Sequence, residues 1–260
     1  MTDHLPATPA WPPRSAPRLF VGDPLGDGAQ ITIEGGQAHY LARVMRIGVG
    51  DAVILCDDAT GEWAARAVSV GKRDLALECV ALLRGREEVP DFTLCAALLK
   101  KDRFDLVLEK ACELGVRHIQ PVLTRRCVAD KLNMERARAT LIEAAEQCAR
   151  TALPTLAEPV KLDALLRGWD APRALFFADE LGGAPAAPAF AAHSGPAALL
   201  TGPEGGFTDE ERAAIRAHSA AQAITLGPRI LRGETACIGG IALWMGVAGD
   251  WPGDWAAGQA

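Results

Sequence analysis

The sequence predicts two domains in tandem: a small antiparallel β-barrel or sandwich, then a larger α/β domain with a mostly parallel sheet covered on both faces. Three observations lead there. From Arg18 to about Arg86 the chain runs in short alternating stretches parted by Gly/Asp turns, the rhythm of half-buried strands. Beyond Pro90, apolar runs of strand length alternate with amphipathic runs of helix length, the order of a parallel sheet with crossover helices. Between the two lies the charged run RGREEVPD (84–91), the best linker in the chain.

In the first region RLFVG, AQITIEG, DAVILCDD, EWAARAVSV and LALECVALL are the strands. GQAHYLARVMRIGVGD interrupts them, helical from Gln37 to Met45 and turning at Gly48 and Gly50. Arg43 and Arg46, three apart, then share a helix face that can meet an anion. In the second region FTLCAALL is a buried strand, and DRFDLVLEKACELG is a helix opened by Asp102 and closed at Gly115. VRHIQPVLT is the next strand. A long amphipathic helix follows from about Met134 to Thr151, with Met134, Ala137, Leu141, Ala145 and Cys148 on one face. TLAEPV, a short helix around LDALLRG and the strand RALFFAD come next, and GGAPAAPAFAAHSG reads as a loop. AALLT and AITL are strands; TDEERAAIRAHS and ETACIGGIALWMGV are helices. The proline- and alanine-rich opening is expected to be a flexible arm over 1–16, and residues 251–260 a loose tail.

Of the 260 residues, 49% are hydrophobic and 23% charged, ample apolar material for a core. No apolar run reaches the length of a membrane span and no signal-peptide pattern opens the chain, so a cytoplasmic protein without membrane contact is expected. The seven cysteines, at 56, 79, 95, 112, 127, 148 and 237, stand singly, with no CxxC pair and no Cys/His cluster of zinc spacing. Buried, reduced thiols and no metal are expected. Net charge is -6, which alone speaks against a nucleic-acid partner. The average hides a block. Residues 100–150 carry 11 Lys/Arg against 8 Asp/Glu, whereas 1–99 carry 9 against 13 and 151–260 carry 7 against 12. Lys100, Lys101, Arg103, Arg125, Arg126, Lys131, Arg136, Arg138 and Arg150 make up most of this positive excess.

Two loops carry the chemistry. LTGPEGGFTDEE (200–211) leads from a strand into a helix whose first turn closes on itself through a capping box, Thr208 to Glu211. This leaves the N–H groups of Gly205, Gly206 and Phe207 for a ligand. Neither GxGxxG nor a Walker GxxxxGK[ST] is present, and Glu204 in mid-loop repels a pyrophosphate. The loop suits an adenosine, a ribose or a sulfonium. LGPRILRGETA (226–236) again joins a short strand to a helix, and two such loops 25 residues apart point to one crevice at the strand ends. Within it the pair Ile230-Leu231 is expected to pack while Arg229 and Arg232 face elsewhere.

GPEGGFTDEE followed by LGPRILRGETA resembles the paired signature of the RsmE-type 16S rRNA (uridine-N3) methyltransferase family, in the SPOUT superfamily. RLFV and HYLARVMRIGVGD are similar to that family's PUA-like RNA-binding domain, and KKDRFDLVLEKACELGV with PVLTRRC to its middle segment. EAAEQCARTALP matches its Glu-Gln-x-x-Arg-x-x-x-Pro helix end through Glu146, Gln147, Arg150 and Pro154. The departures are Tyr40 and Met45, where His and Leu are usual, and Gly233, where Thr is usual; Met45 reads as a near-isosteric core change.

The resemblance implies an α/β trefoil-knot (SPOUT) methyltransferase domain at 89–250 behind an N-terminal PUA-like β-barrel domain at 17–88. It implies S-adenosyl-L-methionine bound without phosphate chemistry by Leu200, Thr201, Gly202, Pro203, Glu204, Gly205, Gly206, Leu226, Gly227, Ile230, Leu231 and Arg232. The strand end from Phe177 to Glu180 is expected as a third wall. The reaction implied is methyl transfer to N3 of one uridine in 16S rRNA of the small ribosomal subunit. Arg232 is expected to stabilise the uracil anion and Glu204 to act beside it, with Glu204 and Glu234 both open as proton acceptor. RNA contacts are expected at Arg18, Arg43, Arg46, Lys100, Arg103, Arg125 and Arg150. A homodimer is expected through ETACIGGIALWMGV. The nearest alternative is a related methyltransferase acting on tRNA or on a ribose 2′-hydroxyl.

Overall fold

The computed structural model describes residues 11–170 and 172–253; most of the arm and of the tail lies outside them. The described chain forms two compact units, one of residues up to 88 together with Glu146–Ala152, the other of Val89–Ala145 and Leu153 onward.

The first unit is a five-stranded half-barrel sheet. Its strands are β1 (Arg18–Phe20), β2 (Gln30–Glu34), β3 (Ala52–Cys56), β4 (Gly61–Val70) and β5 (Asp74–Gly85), in the order β1-β3-β4-β5-β2. The alternation is visible in β2, where Ile31 and Ile33 are buried and their neighbours exposed. Pairing is antiparallel except at one edge, where β1 runs parallel to β3. Register shifts along β4 and β5 bend the long hairpin, as bulges do. Leu19, Ile31, Ile33, Leu41, Val53, Leu55, Leu75 and Leu77 fill the concave side, each contributing about 1.5–3 kcal/mol by burial.

The helix expected over Gln37–Met45 is shorter and irregular. Helix α1 (Gly35–His39) passes directly into a π-turn over Tyr40–Val44, closed by the Met45 N–H donating to Tyr40 O at 3.0 Å. The wider turn breaks the three-to-four spacing that would have stacked Val44 and Met45 over the buried Leu41. Met45 is therefore exposed rather than in the core. Arg46 lies beyond the helix at φ 56°, so it shares no helix face with Arg43.

Residues 146–152, the end of α3 and the turn after it, pack with this first unit, a placement no linear division anticipates. The Phe20 N–H donates to Glu146 Oε1 (2.8 Å), and the Thr151 and Ala152 N–H groups both donate to Glu87 Oε1.

The second unit holds an eight-stranded, wholly parallel sheet. In chain order its elements are β6 (Phe92–Ala97), α2 (Lys101–Glu113), β7 (His118–Leu123), α3 (Met134–Cys148), β8 (Thr155–Leu156), β9 (Val160–Lys161) and α4 (Leu162–Arg167). Then come β10 (Ala174–Ala178), β11 (Ala184–Pro185), α5 (Ala186–Ala191), β12 (Ala197–Thr201), α6 (Asp209–Ala217), β13 (Ala221–Thr225) and α7 (Gly233–Val247). The strand order is β11-β13-β10-β12-β6-β7-β8, with β9 also on β7. The segment expected as a loop over GGAPAAPAFAAHSG contains β11 and α5, because Ala186 and Phe190 bury one helical turn apart. Helix α2 is capped by Lys100 rather than Asp102, which stands in its first turn. Helix α3 stops at Cys148, where Ala149 takes φ 60°, and Cys148 is exposed. Helix α7 buries Cys237, Gly240, Ile241, Trp244 and Met245. It lies so close to β12 that a Cβ on Gly240 would stand 2.4 Å from Leu199 Cδ2.

Candidate functional site

Strands β13, β10 and β12 are neighbours and parallel, so Thr225, Ala178 and Thr201 end side by side. A cavity of about 290 Å³ opens at these three carboxyl ends, where open α/β sheets bind their ligands. Its walls are 178–182, the GPEGGF loop and 225–231, closed by Gly233 and Ala236 of α7.

The capping box is formed: Thr208 Oγ1 accepts from the Glu211 N–H (3.2 Å), and the Thr208 N–H donates to Glu211 Oε2 (3.0 Å). Glu211 Oε1 accepts a further N–H, that of Arg125 (2.8 Å), which ties the helix start to the TRRC turn after β7. Of the three loop N–H groups expected to be open, that of Gly206 is taken, donating to Pro203 O at 2.9 Å. Gly206 has φ 66°, and a Cβ there would lie 2.7 Å from Glu180 Oε1, so both conformation and space demand glycine. Two groups brace the loop from outside: Arg126 Nη1 donates to Gly205 O (3.0 Å) and the Lys100 N–H to Glu204 Oε1 (3.2 Å). Phe207 is buried beneath, edge-on to Phe177 with ring centroids 5.2 Å apart.

Of the residues expected at the cofactor, Gly202, Pro203, Gly206, Leu226, Gly227, Ile230 and Leu231 line the cavity. Leu200 and Thr201 are fully buried behind it, with Thr201 Oγ1 3.1 Å from Cys237 Sγ, a thiol that burial pushes up to about 12. Glu204, Gly205 and Arg232 are exposed and not part of its lining. The expectation that Ile230 packs inward fails: it is 84% exposed, on the rim.

The third wall brings a cluster that spacing alone did not single out. Asp179, its side chain fully buried, accepts from Arg212 Nε (3.0 Å) and from Arg216 Nη2 (2.6 Å). Burial by itself would raise the Asp179 carboxyl, but the Leu181 N–H and the two guanidiniums outweigh it and hold it below the usual aspartate range. Arg212 also reaches Glu180 (3.0 Å). The spacing of four between Arg212 and Arg216 was the available signal, since it puts both on one helix face. The cavity thus offers apolar walls, the Glu180 carboxyl and an arginine already engaged by acids. That donor set fits a phosphate-free, cationic ligand with an amino-acid end.

Beside the cavity, Glu234 Oε1 accepts from Arg103 Nη1 (2.7 Å), while its buried Oε2 has no hydrogen-bond partner among the described residues. Burial acts to raise this carboxyl too, yet the helix-start N–H, Arg103 and Arg232 together lower it. Arg232 caps α7 and makes no salt bridge among the described residues.

The arginines expected at RNA separate into two groups. Arg43, Arg46 and Lys100 are exposed and make no salt bridge among the described residues. Arg125 is exposed and 3.4 Å from Glu210. Arg103 is held by Glu234 as above, and Arg18 by Glu62, a buried carboxylate that also takes Arg84. Arg150 must be withdrawn from the RNA set: it is 4% exposed and sits beside Glu87 (3.4 Å), a bolt within the first unit.

The RNA methyltransferase domain family matches residues 86–245, and the RNA methyltransferase PUA domain family matches 33–78. The ribosomal RNA small subunit methyltransferase E of Synechocystis sp. is 34% identical over 80% of this chain and 70% of its own. The chain belongs to the ribosomal RNA small subunit methyltransferase E family. Another member, from Rickettsia conorii, is 28% identical over 86% of this chain and 93% of its own. The crystal structure of the Neisseria gonorrhoeae enzyme of this family, bound to S-adenosyl methionine, superposes with a TM-score of 0.81. It is 27% identical and covers 91% of this chain and 99% of that one. The larger unit is accordingly the SPOUT α/β domain, with the trefoil-knotted path that membership implies, and the smaller unit the PUA-like domain.

Proposed function

We propose that this chain transfers a methyl group from S-adenosyl-L-methionine to N3 of one uridine in 16S rRNA, acting in the cytoplasm on the small ribosomal subunit. The observation that carries this reading is the convergence of GPEGGF, LGPRILRG and the 178–182 strand end on one cavity in a chain of this family. The bound cofactor supplies an electrophilic methyl on a sulfonium. Gly202, Pro203, Gly206, Leu226, Gly227, Ile230 and Leu231 would hold it, with Glu180 toward its positive groups and the buried Asp179 fixing Arg212 behind them. Leu200 and Thr201 support that wall from behind.

Because the electrophile is already activated, alignment and charge at the uracil matter most. Arg232, exposed next to the cavity-lining Leu231 and without a salt bridge among the described residues, would stabilise the uracil anion. Of the two carboxylates left open by the sequence, Glu234 is the one we favour for proton removal, because its Oε2 has no hydrogen-bond partner among the described residues. Glu204 then braces the loop through Lys100. The half-exposed side of α7, with Ile238, Gly239 and Val247, would seat a second copy, and a light-scattering mass near 27.5 kDa would remove the dimer.

The test is methylation of small subunits from a strain lacking this protein, with digestion to nucleosides and mass spectrometry. One N3-methyluridine per 16S rRNA is expected. A 2′-O-methylated nucleoside, or no incorporation with cofactor bound, would overturn the reading.

A further inference from the structure

Three irregularities fall within one short stretch of the first unit. The π-turn over Tyr40–Val44 is one. The left-handed Arg46, at φ 56°, is the second. The third is a run of exposed apolar side chains: Tyr40 at 39%, Val44 at 62%, Met45 at 37% and Val49 at 71%. Ala38 and Leu41 bury the inner side, and Gln37 Nε2 fixes the helix by donating to Phe20 O (3.2 Å). An α-helical continuation would have carried Val44 and Met45 inward with Leu41; the π-turn turns them out. Backbone departures of this kind cost free energy and persist where the surroundings or a function require them.

Within this stretch the side-chain charge has one sign, with Glu34 and Asp51 at its two ends and Asp51 Oδ2 accepting from the Gly48 N–H (2.7 Å). Between Gly35 and Gly50 the sequence carries Arg43 and Arg46 and no Asp or Glu, in a chain of net charge -6. Both arginines are exposed, and neither makes a salt bridge or a side-chain hydrogen bond among the described residues. The chain's one tyrosine stands at the start of the patch. An aromatic ring, three aliphatic side chains and two uncommitted guanidiniums match an unpaired nucleotide, which has a flat apolar face and a phosphate on either side. A duplex, whose bases are stacked away, has no use for the apolar part.

We propose that Tyr40, Val44, Met45 and Val49 form a docking face for one or two unstacked bases of single-stranded RNA, with Arg43 and Arg46 holding the flanking phosphates. This rests on the reading of the chain as an RNA methyltransferase and deepens it by naming the RNA form that the first unit selects.

Equilibrium binding of the full-length protein to an oligouridylate of about 12 nucleotides, and to a duplex of the same length, tests it across a salt series. Replacing Tyr40 by Ala with Val44 and Met45 by Ser should weaken single-strand binding about tenfold or more. The salt slope and the duplex affinity should not change. Tyr40→Phe should retain the affinity, because the ring and not the hydroxyl is used. Arg43→Ala with Arg46→Ala should instead lower the magnitude of the salt slope by about 1–2. Cofactor binding and thermal midpoint are measured on every variant, and all replaced side chains are exposed. Unchanged single-strand affinity in a folded triple variant would overturn the proposal, as would equal losses on single strand and duplex. So would a triple variant that binds RNA normally yet fails on intact small subunits, which would make the patch a protein contact. Failure of the parent chain to methylate rRNA at all would instead strike the underlying activity and leave these binding ratios readable.

Discussion

Each unit buries one carboxylate between two arginines, and the two clusters do different things. In the first, Glu62 holds Arg18 of β1 and Arg84 of β5, and Arg84 reaches on to the carbonyl of Ala149, so the cluster ties strands to the 146–152 segment. In the second, Asp179 just past β10 holds Arg212 and Arg216 of α6, and Asp179 and Arg212 line the cavity wall. The chemistry is alike, and the neighbours decide the role. Among the described arginines that no carboxylate holds are Arg43 and Arg46 in the first unit and Arg229 and Arg232 in the second.

The sharpest way to break that contrast is Arg232→Ala. If an uncommitted arginine beside the cavity stabilises charge in the transition state, its loss should lower kcat by about 10²–10³. Cofactor affinity should hold, and Arg18→Ala should leave the chemical step alone. Single-turnover methylation read together with cofactor titration separates these outcomes. A loss confined to cofactor affinity would make Arg232 a binding residue.

Next in size are the two buried carboxylates compared directly. Asp179→Ala removes the buried partner of Arg212, leaving it only Glu180 and Asp209 toward the surface, and should cost about 3 kcal/mol of stability, together with cofactor affinity. Glu62→Ala leaves two partly exposed arginines that water can serve, so a loss of about 1–3 kcal/mol is expected, with cofactor affinity unchanged. Their ratio in urea melts, and the cofactor titration beside it, would show the clusters to be equivalent if the contrast is wrong. The pH dependence follows from the Asp179 shift. A carboxyl held below its unfolded value contributes stability that is present at neutral pH and lost as the pH falls below about 4. Asp179→Asn should flatten that acid limb.

These clusters mark the limit of what the sequence makes legible. Alternation gave the strands of the first unit, and the two glycine loops together pointed to one crevice, because both are local patterns whose period or turn chemistry is written in neighbouring residues. Pairing is not local. Arg150 and Glu87, Arg103 and Glu234, and Arg18 and Glu62 are 63, 131 and 44 positions apart, and until the chain folds each arginine reads as free. The basic block of 100–150 therefore overstated the surface offered to RNA. The π-turn at Tyr40 was hidden for another reason: its residues fit an α-helical pattern, and only packing of Ala38 and Leu41 decides how the next turn closes.

A smaller effect probes a committed arginine of the second unit. Arg103→Ala releases Glu234 Oε1 and removes a cause of its lowered carboxyl, so that carboxyl rises toward the usual glutamate range. A kcat loss of about tenfold is expected, with the acid limb of the pH–rate profile moved to higher pH. Arg103→Lys should restore part of both. Were Arg103 an RNA phosphate contact, the variant would change KM and its salt dependence and leave the pH limb in place.

The smallest effect concerns Gly233, where the resembling family has Thr. A Cβ at 233 would stand 2.8 Å from Leu99 Cδ2 and 3.3 Å from Gly202 O, so the buried Leu99 tip fills the space that a side chain would need. Gly233→Ala, at the first position of α7, restricts the unfolded chain and loses a little packing, terms of opposite sign that each come to about 1 kcal/mol or less, so a net change below that is expected. The larger Gly233→Thr should destabilise unless Leu99 gives way, and Leu99→Val should then recover it. A thermodynamic cycle on the pair reads this directly: a coupling of about 0.5 kcal/mol or more, favouring Thr with Val, is the expected sign. Additivity would mean that Leu99 is not what excludes the side chain, and that Gly202 O, a backbone group at the cavity wall that cannot retreat, sets the limit instead.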